Sequence, residues 1–249
     1  CPGEKSCRHR QSIYKKMIPK TIHYCWFGGR PLPKDVRQYI STWEKHFPDF
    51  KIKQWNESNF DIDALLYTRQ AYYAGKYAFV SDVARLYALV TEGGLYLDTD
   101  ILIKKRFPEE WFDLKGFGSF EHDRFVETGL IASEAGNPFI AEFLNHYESL
   151  SFFKLFSFDL TPNVIRFTRF MQYKGFEMNN TEQTVGGFTL FPQQLLCGKD
   201  WEKGRYDDES TFAVHDYAGT WGREVLSHVF KHICQSAYCA LRWHLKIGR

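Results

Sequence analysis

The chain of 249 residues is long enough for one sizeable domain, and its composition is that of a folded protein, with 44% hydrophobic and 25% charged residues. A disordered chain would have fewer apolar residues. No uncharged apolar run is as long as a membrane-spanning helix. A disordered protein and a transmembrane protein are therefore both excluded. The aromatic fraction of 18% is high, and such rings suit either a core or a pocket that stacks on sugars or bases.

The formal net charge is +2, but it is unevenly distributed. Residues 1–16 and residues 223–249 each carry +4, which leaves −6 for residues 17–222. A nucleic-acid-binding protein gathers positive charge on its recognition surface, so an acidic body with basic ends argues against nucleic acid as a partner. Basic ends are instead compatible with contact to an anionic membrane.

The organisation predicted from these patterns is a single domain with a short segment at each end. Residues 1–16 are predicted to be an extension or a tag remnant, because Met17 precedes the first strand-like segment. Residues 17–222 are predicted to form the domain. Residues 223–249 are predicted to form a basic amphipathic helix packed on it, and a second interpretation places this helix on the inner face of a membrane.

The six cysteines have neither the paired spacing of metal sites nor the density of a secreted disulfide scaffold. The N-terminal residues also lack the apolar core of a signal peptide. We therefore expect reduced thiols and a cytoplasmic protein.

Strand-like and helix-like segments alternate along the chain, which favours an α/β fold with a mostly parallel sheet. The predicted strands are 21–27, 50–55, 95–103, 117–120, 126–133, 188–191 and 212–215. The predicted helices are 78–92, with an apolar stripe at Val83, Leu86, Tyr87 and Val90, then 138–150, a helix beginning at Thr161-Pro162, and 225–245. In such sheets, ligands bind at the carboxyl ends of the strands.

Two aspartates interrupt the predicted strand 95–103. Asp98 and Asp100 are two residues apart, so on a strand their side chains would point the same way. Two adjacent carboxylates repel each other unless a cation lies between them, and oxygen ligands favour Mg²⁺ or Mn²⁺ completed by substrate phosphates. A second Asp-x-Asp, Asp61 and Asp63, is predicted instead to start a helix, where acidic residues suit the helix dipole.

Asp82 and Arg85 lie three residues apart on the predicted helix 78–92 and therefore share a face. As a surface ion pair they would contribute under about 1 kcal/mol. In a binding site, Asp82 would accept hydrogen bonds from substrate hydroxyls and Arg85 would contact phosphate or sugar. We favour the binding interpretation, because Gly93-Gly94 leads this helix directly into the aspartate strand.

Together these motifs resemble glycosyltransferase family 32, the DXD-containing sugar transferases. The resemblance spans roughly residues 18–221. It is carried by Ile18–Gly28, by Ser81-Asp82-x-x-Arg85 with Gly93-Gly94-x-Tyr96-x-Asp98-x-Asp100, and more weakly by His215–Trp221. It implies a GT-A-type nucleotide-sugar-binding fold, in which a mixed, mostly parallel sheet is flanked by helices.

The resemblance also implies roles for the motif residues. Trp26 would stack on the nucleobase of the donor, and Tyr77 would also contact the donor. The catalytic candidates are Asp82 and Arg85, which would hold the donor sugar, Asp98, which would contact both donor and metal, and Asp100, which would be the main metal ligand.

The C-terminal motif departs from the family pattern at Asp216 and Thr220. His215 is predicted to complete the metal site, although Asp216 leaves that assignment open, and Thr220 and Trp221 are predicted to contact the donor diphosphate. Glu127 is predicted to be a solvated carboxylate, with a place in an acceptor pocket as the alternative.

The implied reaction moves a hexose, with retention of configuration, from a nucleotide-sugar to a glycan or a lipid-linked saccharide, as in polysaccharide or lipopolysaccharide synthesis. Mn²⁺ or Mg²⁺ is the expected cofactor, a UDP-hexose the favoured donor and GDP-mannose the second choice. Two alternatives stay open: a phosphatase of the haloacid-dehalogenase kind, whose pattern expects Thr or Val at Leu102, and a non-catalytic nucleotide-sugar-binding module.

Overall fold

A computed structural model describes residues 17–121, 124–155, 157–200, 204–205 and 208–218. The segment 1–16, the predicted helix 225–245, Thr220 and Trp221 lie outside the described residues. Within the described ranges, no helix is both long enough and apolar enough to cross a membrane.

The secondary structure alternates as expected. The strands are β1 (Thr21–Cys25), β2 (Lys51–Trp55), β3 (Gly94–Leu97), β4 (Ile101–Ile103), β5 (Gly116–Glu121), β6 (Phe125–Val126), β7 (Leu130–Ser133), β8 (Phe153–Lys154), β9 (Ser157–Phe158), β10 (Gln183–Val185), β11 (Phe188–Phe191), β12 (Lys199–Asp200), β13 (Gly204–Arg205) and β14 (Ala213–His215). The helices are α1 (Lys34–His46), α2 (Leu66–Tyr73), α3 (Tyr77–Glu92), α4 (Pro138–His146), α5 (Asn163–Tyr173) and α6 (Gln193–Leu196), with 3-10 turns at Glu109–Asp113 and Tyr147–Ser149.

The central sheet has the strand order β10-β11-β5-β7-β3-β1-β2, and β6 pairs with β5. β1 pairs in parallel with both β2 and β3, and β5 pairs in parallel with β11. β7 runs antiparallel between β3 and β5, and β10 is an antiparallel edge strand. β4 and β14 form a separate antiparallel ribbon. The predicted mixed, mostly parallel sheet is confirmed.

Apolar residues cover both faces of the sheet because side chains alternate along each strand. In β3, Leu95 and Leu97 join the cluster that contains Trp43 of α1, whereas Tyr96 joins the cluster formed by α2 to α5. The largest fully buried side chains are all aromatic, among them Trp43 and Phe107. Within the part of the chain that the structure describes, most of the aromatic side chains therefore belong to the core.

The turn between α3 and β3 is held by close backbone packing. Gly94 has a φ of +110°, and a Cβ at this position would lie 2.5 Å from the carbonyl oxygen of Thr21. Next to it, the buried His23 donates from Nε2 to the carbonyl of Gly93 (2.7 Å) and accepts at Nδ1 from Trp55 Nε1 (3.1 Å). Since a carbonyl only accepts and an indole N–H only donates, His23 is a neutral structural residue, and burial lowers its pKa.

Several local predictions were wrong. The segment 95–103 is divided into β3 and β4 by a turn at residues 98–100, in which the Ile101 amide donates to the Asp98 carbonyl. Asp61 and Asp63 lie in a turn before α2 and not in its first turn, because the Asp61 carboxylate accepts from the Asp63 amide.

Two helix details also differ. Helix α5 has Pro162 as its N-cap, so Thr161 lies outside the helix and Pro162 is not its first residue. In α3, Val83 and Leu86 are buried, but Tyr87 is 42% exposed and packs its ring edge on Trp55 and Phe60. The strongly amphipathic helix α1 was not predicted.

Candidate functional site

The candidate donor site lies at the edge of the sheet where β1 and β3 both end. These strands are parallel neighbours with Ile22 opposite Leu95 and His23 opposite Tyr96. Trp26, directly after β1, and Asp98, directly after β3, are therefore brought to the same edge, as the family resemblance requires.

Trp26 and Tyr77 both belong to the surroundings of the Gly28-Gly29 turn. Trp26 is half-buried and donates from Nε1 to the Arg30 carbonyl (2.7 Å). A Cβ on Gly28, whose φ is +94°, would lie 2.5 Å from the Tyr77 ring, so the ring rests directly on the turn. This turn needs glycine for both its conformation and its close contact.

Arg85 contacts several different groups of the site through its guanidinium. It is 5% exposed, and its Nη2 lies 3.0 Å from Asp82 Oδ1 and 3.3 Å from Asp98 Oδ1. Its Nη1 donates to the carbonyl of Thr128 (2.6 Å), and its guanidinium lies 4.9 Å from the centre of the Tyr96 ring. Arg85 thus joins α3, the 98–100 turn and the loop before β7, and these protein groups occupy much of its donor capacity.

The two aspartates of the turn have different partners. Asp98 Oδ1 accepts from the Tyr96 hydroxyl (2.8 Å) in addition to its contact with Arg85. Asp100 lies 3.2 Å from His215 Nε2 through Oδ1 and accepts the Ala218 amide at Oδ2 (2.9 Å). The prediction that both side chains share a strand face was wrong, since the two residues lie in a turn. The charges of the two aspartates nevertheless interact, because Asp100 raises the pKa of Asp98.

Burial and charge separate the pKa values of these carboxyls. Burial raises the pKa of Asp82 to about 6, against the opposing charge of Arg85. Burial also raises the pKa of Asp98, and the neighbouring charge of Asp100 adds to the increase. Although burial opposes it, the charge of His215 lowers the pKa of Asp100. The protein therefore compensates the charge of Asp98 less well than that of Asp100.

The imidazole of His215 lies between two carboxylates. Nε2 faces Asp100, and Nδ1 lies 3.0 Å from Glu127 Oε2. Burial alone would lower the pKa of His215, but the charges of Glu127 and Asp100 raise it well above its usual value. Asp216 is directed elsewhere, because it binds the Tyr39 hydroxyl (3.0 Å) and Lys199 Nζ (3.2 Å). The geometry favours His215 over Asp216 as the partner of the aspartates.

Glu127 is the site residue that the sequence did not reveal. It is 1% exposed, so the prediction of a solvated carboxylate was wrong. Its Oε1 accepts the Gly129 amide, and its Oε2 accepts from Cys197 Sγ (3.2 Å) as well as contacting His215. No local motif marks it, since its partners are 70 and 88 residues away in sequence.

Residues 33–117 match the family described as a glycosyltransferase sugar-binding region containing a DXD motif. This span includes Asp82, Arg85, Asp98 and Asp100. This part of the chain is similar to the sugar-binding region of DXD-containing glycosyltransferases. The resemblance inferred from the motifs is confirmed, and the sheet described above is the one expected of a GT-A-type fold. The phosphatase alternative is not supported.

Two curated relatives extend this match. Subversion of eukaryotic traffic protein A of Legionella pneumophila subsp. pneumophila is 25% identical over 220 residues, which cover 76% of this chain and 33% of that protein. An uncharacterized glycosyltransferase of Acanthamoeba polyphaga mimivirus is 32% identical over 114 residues, 42% of each protein. The chain spans less than half the length of either relative.

Among solved structures, a galactosyltransferase in complex with donor and acceptor sugar analogues is 13% identical. The similarity covers 88% of this chain and 95% of that chain, with a TM-score of 0.42.

Replacement of Arg85 by lysine tests whether its guanidinium stabilises the site by connecting these groups. We expect Arg85→Lys to lower the free energy of unfolding by about 2 kcal/mol or more, because the single nitrogen of an ammonium cannot occupy the separate positions of Nη1 and Nη2. The measurement is urea unfolding followed by circular dichroism. Arg106→Lys is the matched control, since Arg106 makes its ion pairs with Asp49 and Glu109 at the surface. Equal effects of the two changes would contradict the assignment.

Proposed function

We propose that this glycosyltransferase domain transfers a hexose from a nucleotide-sugar to a saccharide acceptor in a divalent-metal-dependent reaction that retains configuration. The observation that carries the proposal is the 98–100 turn. It holds two aspartates between the buried Arg85 and the partly buried His215, at the sheet edge that also carries Trp26. Retention would follow if the acceptor attacks the face that the diphosphate leaves and gives its proton to that diphosphate, so no protein nucleophile is required.

The residues present fit a divalent cation. The connected site contains four carboxylates and two basic groups, which leaves a formal charge of −2 when His215 is protonated and −3 when it is neutral, the form that binds a metal. The carboxylates are those of Asp82, Asp98, Asp100 and Glu127, and the basic groups are Arg85 and His215. Carboxylate oxygens with one imidazole suit Mn²⁺ or Mg²⁺, which Asp98, Asp100 and His215 would hold. A bound cation would neutralise the charge that develops on the departing diphosphate.

Glu127 prepares His215 for this role. When Glu127 Oε2 accepts the Nδ1 proton, Nε2 can present its lone pair on the side of Asp100. A carboxylate that fixes the tautomer and orientation of a metal-binding histidine is a common arrangement. We therefore infer that Glu127 is a positioning residue that acts through His215.

Of the remaining residues proposed for the donor site, some would contact the donor directly and others would hold neighbouring residues in place. Asp82, 12% exposed at its side chain, is proposed to accept hydrogen bonds from the donor sugar. Arg85 is proposed to assist by holding Asp98 in place, and Tyr77 by supporting the turn beside Trp26. Thr220 and Trp221 remain predicted diphosphate contacts.

For the donor we propose a UDP-hexose first and GDP-mannose second, since Trp26 can stack on either base. For the acceptor we propose a glycan or a lipid-linked saccharide. We propose that the domain comprises residues 17–222. The +4 charge of residues 223–249 supports a peripheral location at the inner face of a membrane.

Calorimetric titration with UDP and with GDP, each with and without Mn²⁺, tests the metal and the donor. We expect one nucleotide to bind only with Mn²⁺, and Asp100→Asn to abolish that binding because a neutral amide is a poor ligand for a hard cation. Asp63→Asn is the matched control, as it changes an exposed Asp-x-Asp outside the site. Mn²⁺-independent binding, or equal loss in both variants, would refute the proposal. Binding without sugar transfer would favour the non-catalytic module.

Glu127→Gln tests the positioning role. The amide cannot accept from Gly129 on one atom and from both Cys197 and His215 on the other, so His215 loses its fixed tautomer. We expect Mn²⁺ affinity to fall about 10- to 100-fold, with a higher Mn²⁺ concentration for half-maximal activity and a smaller change in kcat at saturating Mn²⁺. A fall in kcat with unchanged Mn²⁺ dependence would contradict this role.

A further inference from the structure

Two residues of the proposed donor site, Glu127 and His215, also lie next to Cys197, which the proposed reaction does not use. Glu127, Cys197 and His215 each offer one ligand atom, and these atoms all lie within 4.8 Å of one another. They come from three separate parts of the chain: the loop before β7, the residue after α6, and the end of β14. We propose that these three residues form a Zn²⁺ site that competes with the donor-site metal for His215.

The ligand types and separations suit zinc. Thiolate, imidazole and carboxylate are the usual zinc ligands, and at bond lengths of about 2.0–2.3 Å the ligands of a tetrahedral ion lie about 3.3–3.8 Å apart. Glu127 Oε2 is 3.2 Å from Cys197 Sγ and 3.0 Å from His215 Nδ1, each slightly shorter than these separations, and the third pair of ligand atoms lies within 4.8 Å. A thiolate ligand also selects zinc over Mg²⁺ and Mn²⁺.

The surroundings hold this group together. Tyr217 has a φ of 49°, which is uncommon for a residue with a side chain. In this conformation its ring stacks on His215 with centroids 4.1 Å apart, and its hydroxyl lies 3.2 Å from Cys197 Sγ. The fourth coordination position is left to water or to this hydroxyl. Strained backbone that fixes a polar cluster is a feature of binding sites.

The charge of the pocket favours a cation. Cys197 is fully buried and Glu127 is 1% exposed, and the carboxyl of Glu121 lies near both. Burial, followed by the charge of Glu127, raises the pKa of Glu121 to about 8, so a further negative charge is unfavourable in this pocket. Zn²⁺ would form coordinate bonds to Sγ, Nδ1 and Oε2, while the thiol proton and the Nδ1 proton leave to solvent. No oxidation or reduction is involved.

Competition follows from the single imidazole. Zn²⁺ on Nδ1 requires the proton on Nε2, where it is donated to Asp100 Oδ1 at 3.2 Å. A ligand to the donor-site metal needs the opposite tautomer, with Nε2 free and Nδ1–H donated to Glu127. One neutral imidazole cannot satisfy both. This competition rests on the proposed function, whereas the zinc site itself does not.

Titration of the metal-free chain with Co²⁺, as a spectroscopic probe for zinc, tests the site. We expect a thiolate-to-Co²⁺ charge-transfer band in the near ultraviolet that one equivalent of Zn²⁺ removes. Cys197→Ser keeps a hydroxyl toward Glu127 and Tyr217 but should lose one equivalent of this band. It should also lose about tenfold or more in Zn²⁺ affinity, since even outer-shell changes cost that much. Cys25→Ala, at the other described buried cysteine, should retain both.

A band of equal size in wild type and Cys197→Ser, or no band in wild type, would overturn the zinc site. Circular dichroism confirms that each variant is folded, and Cys197→Ala provides a second test if the serine variant is not.

The competition is measured by the electron paramagnetic resonance signal of free Mn²⁺. One equivalent of Zn²⁺ should raise the apparent Kd for Mn²⁺ about tenfold or more in wild type and not in Cys197→Ser. Unchanged Mn²⁺ affinity with Zn²⁺ bound would overturn the competition. Absence of Mn²⁺ binding even without Zn²⁺ would instead count against the proposed function, while the Co²⁺ band would still support the zinc site.

Discussion

The buried guanidinium of Arg85 connects the parts of the chain on which the site depends. It forms ion pairs with Asp82 on its own helix and with Asp98 in the turn after β3. It also donates a hydrogen bond to the Thr128 carbonyl in the loop that carries Glu127. Isolated burial of this charge would be very unfavourable, so the two carboxylates and the carbonyl are necessary for the arrangement to be stable. The close packing of Gly94 on the Thr21 carbonyl holds the start of β3 against β1 directly after α3 ends.

Beyond Arg85, charged side chains neighbour one another in a continuous series. Arg85 meets Asp98, Asp98 neighbours Asp100, Asp100 meets His215, and His215 meets Glu127. Arg85 and His215 each lie between two carboxylates, whereas the charges of Asp98 and Asp100 oppose each other. A divalent ion bound by both aspartates would offset this repulsion, which is the physical basis of the proposed donor site.

The local parts of this account could be predicted from the sequence, because their signals are local. The helix that carries Asp82 and Arg85, the Gly93-Gly94 turn and the strand before Asp98 are contiguous, and their patterns predict their elements directly. The turn at Asp98–Asp100 was missed because the apolar residues continue on both sides, so the pattern resembles one strand. The hydrogen bond from the Ile101 amide to the Asp98 carbonyl closes a local turn that interrupts the strand.

Glu127 and Cys197 could not be predicted, because nothing in their neighbouring residues indicates burial or partners. They reach His215 only through the packing of β14 on β4 and the antiparallel insertion of β7 between β3 and β5. Asp216 and His215, adjacent in sequence, were separated only by the structure, which directs them to opposite partners.

The most direct test of the central claim is a crystal structure of the domain grown with Mn²⁺ and the nucleotide that binds, with anomalous scattering used to locate manganese. The account predicts one strong manganese peak at coordination distance from Asp98, Asp100 and His215, with the nucleotide diphosphate beside it and its base against Trp26. A peak away from the 98–100 turn, or nucleotide bound there without any manganese, would contradict it.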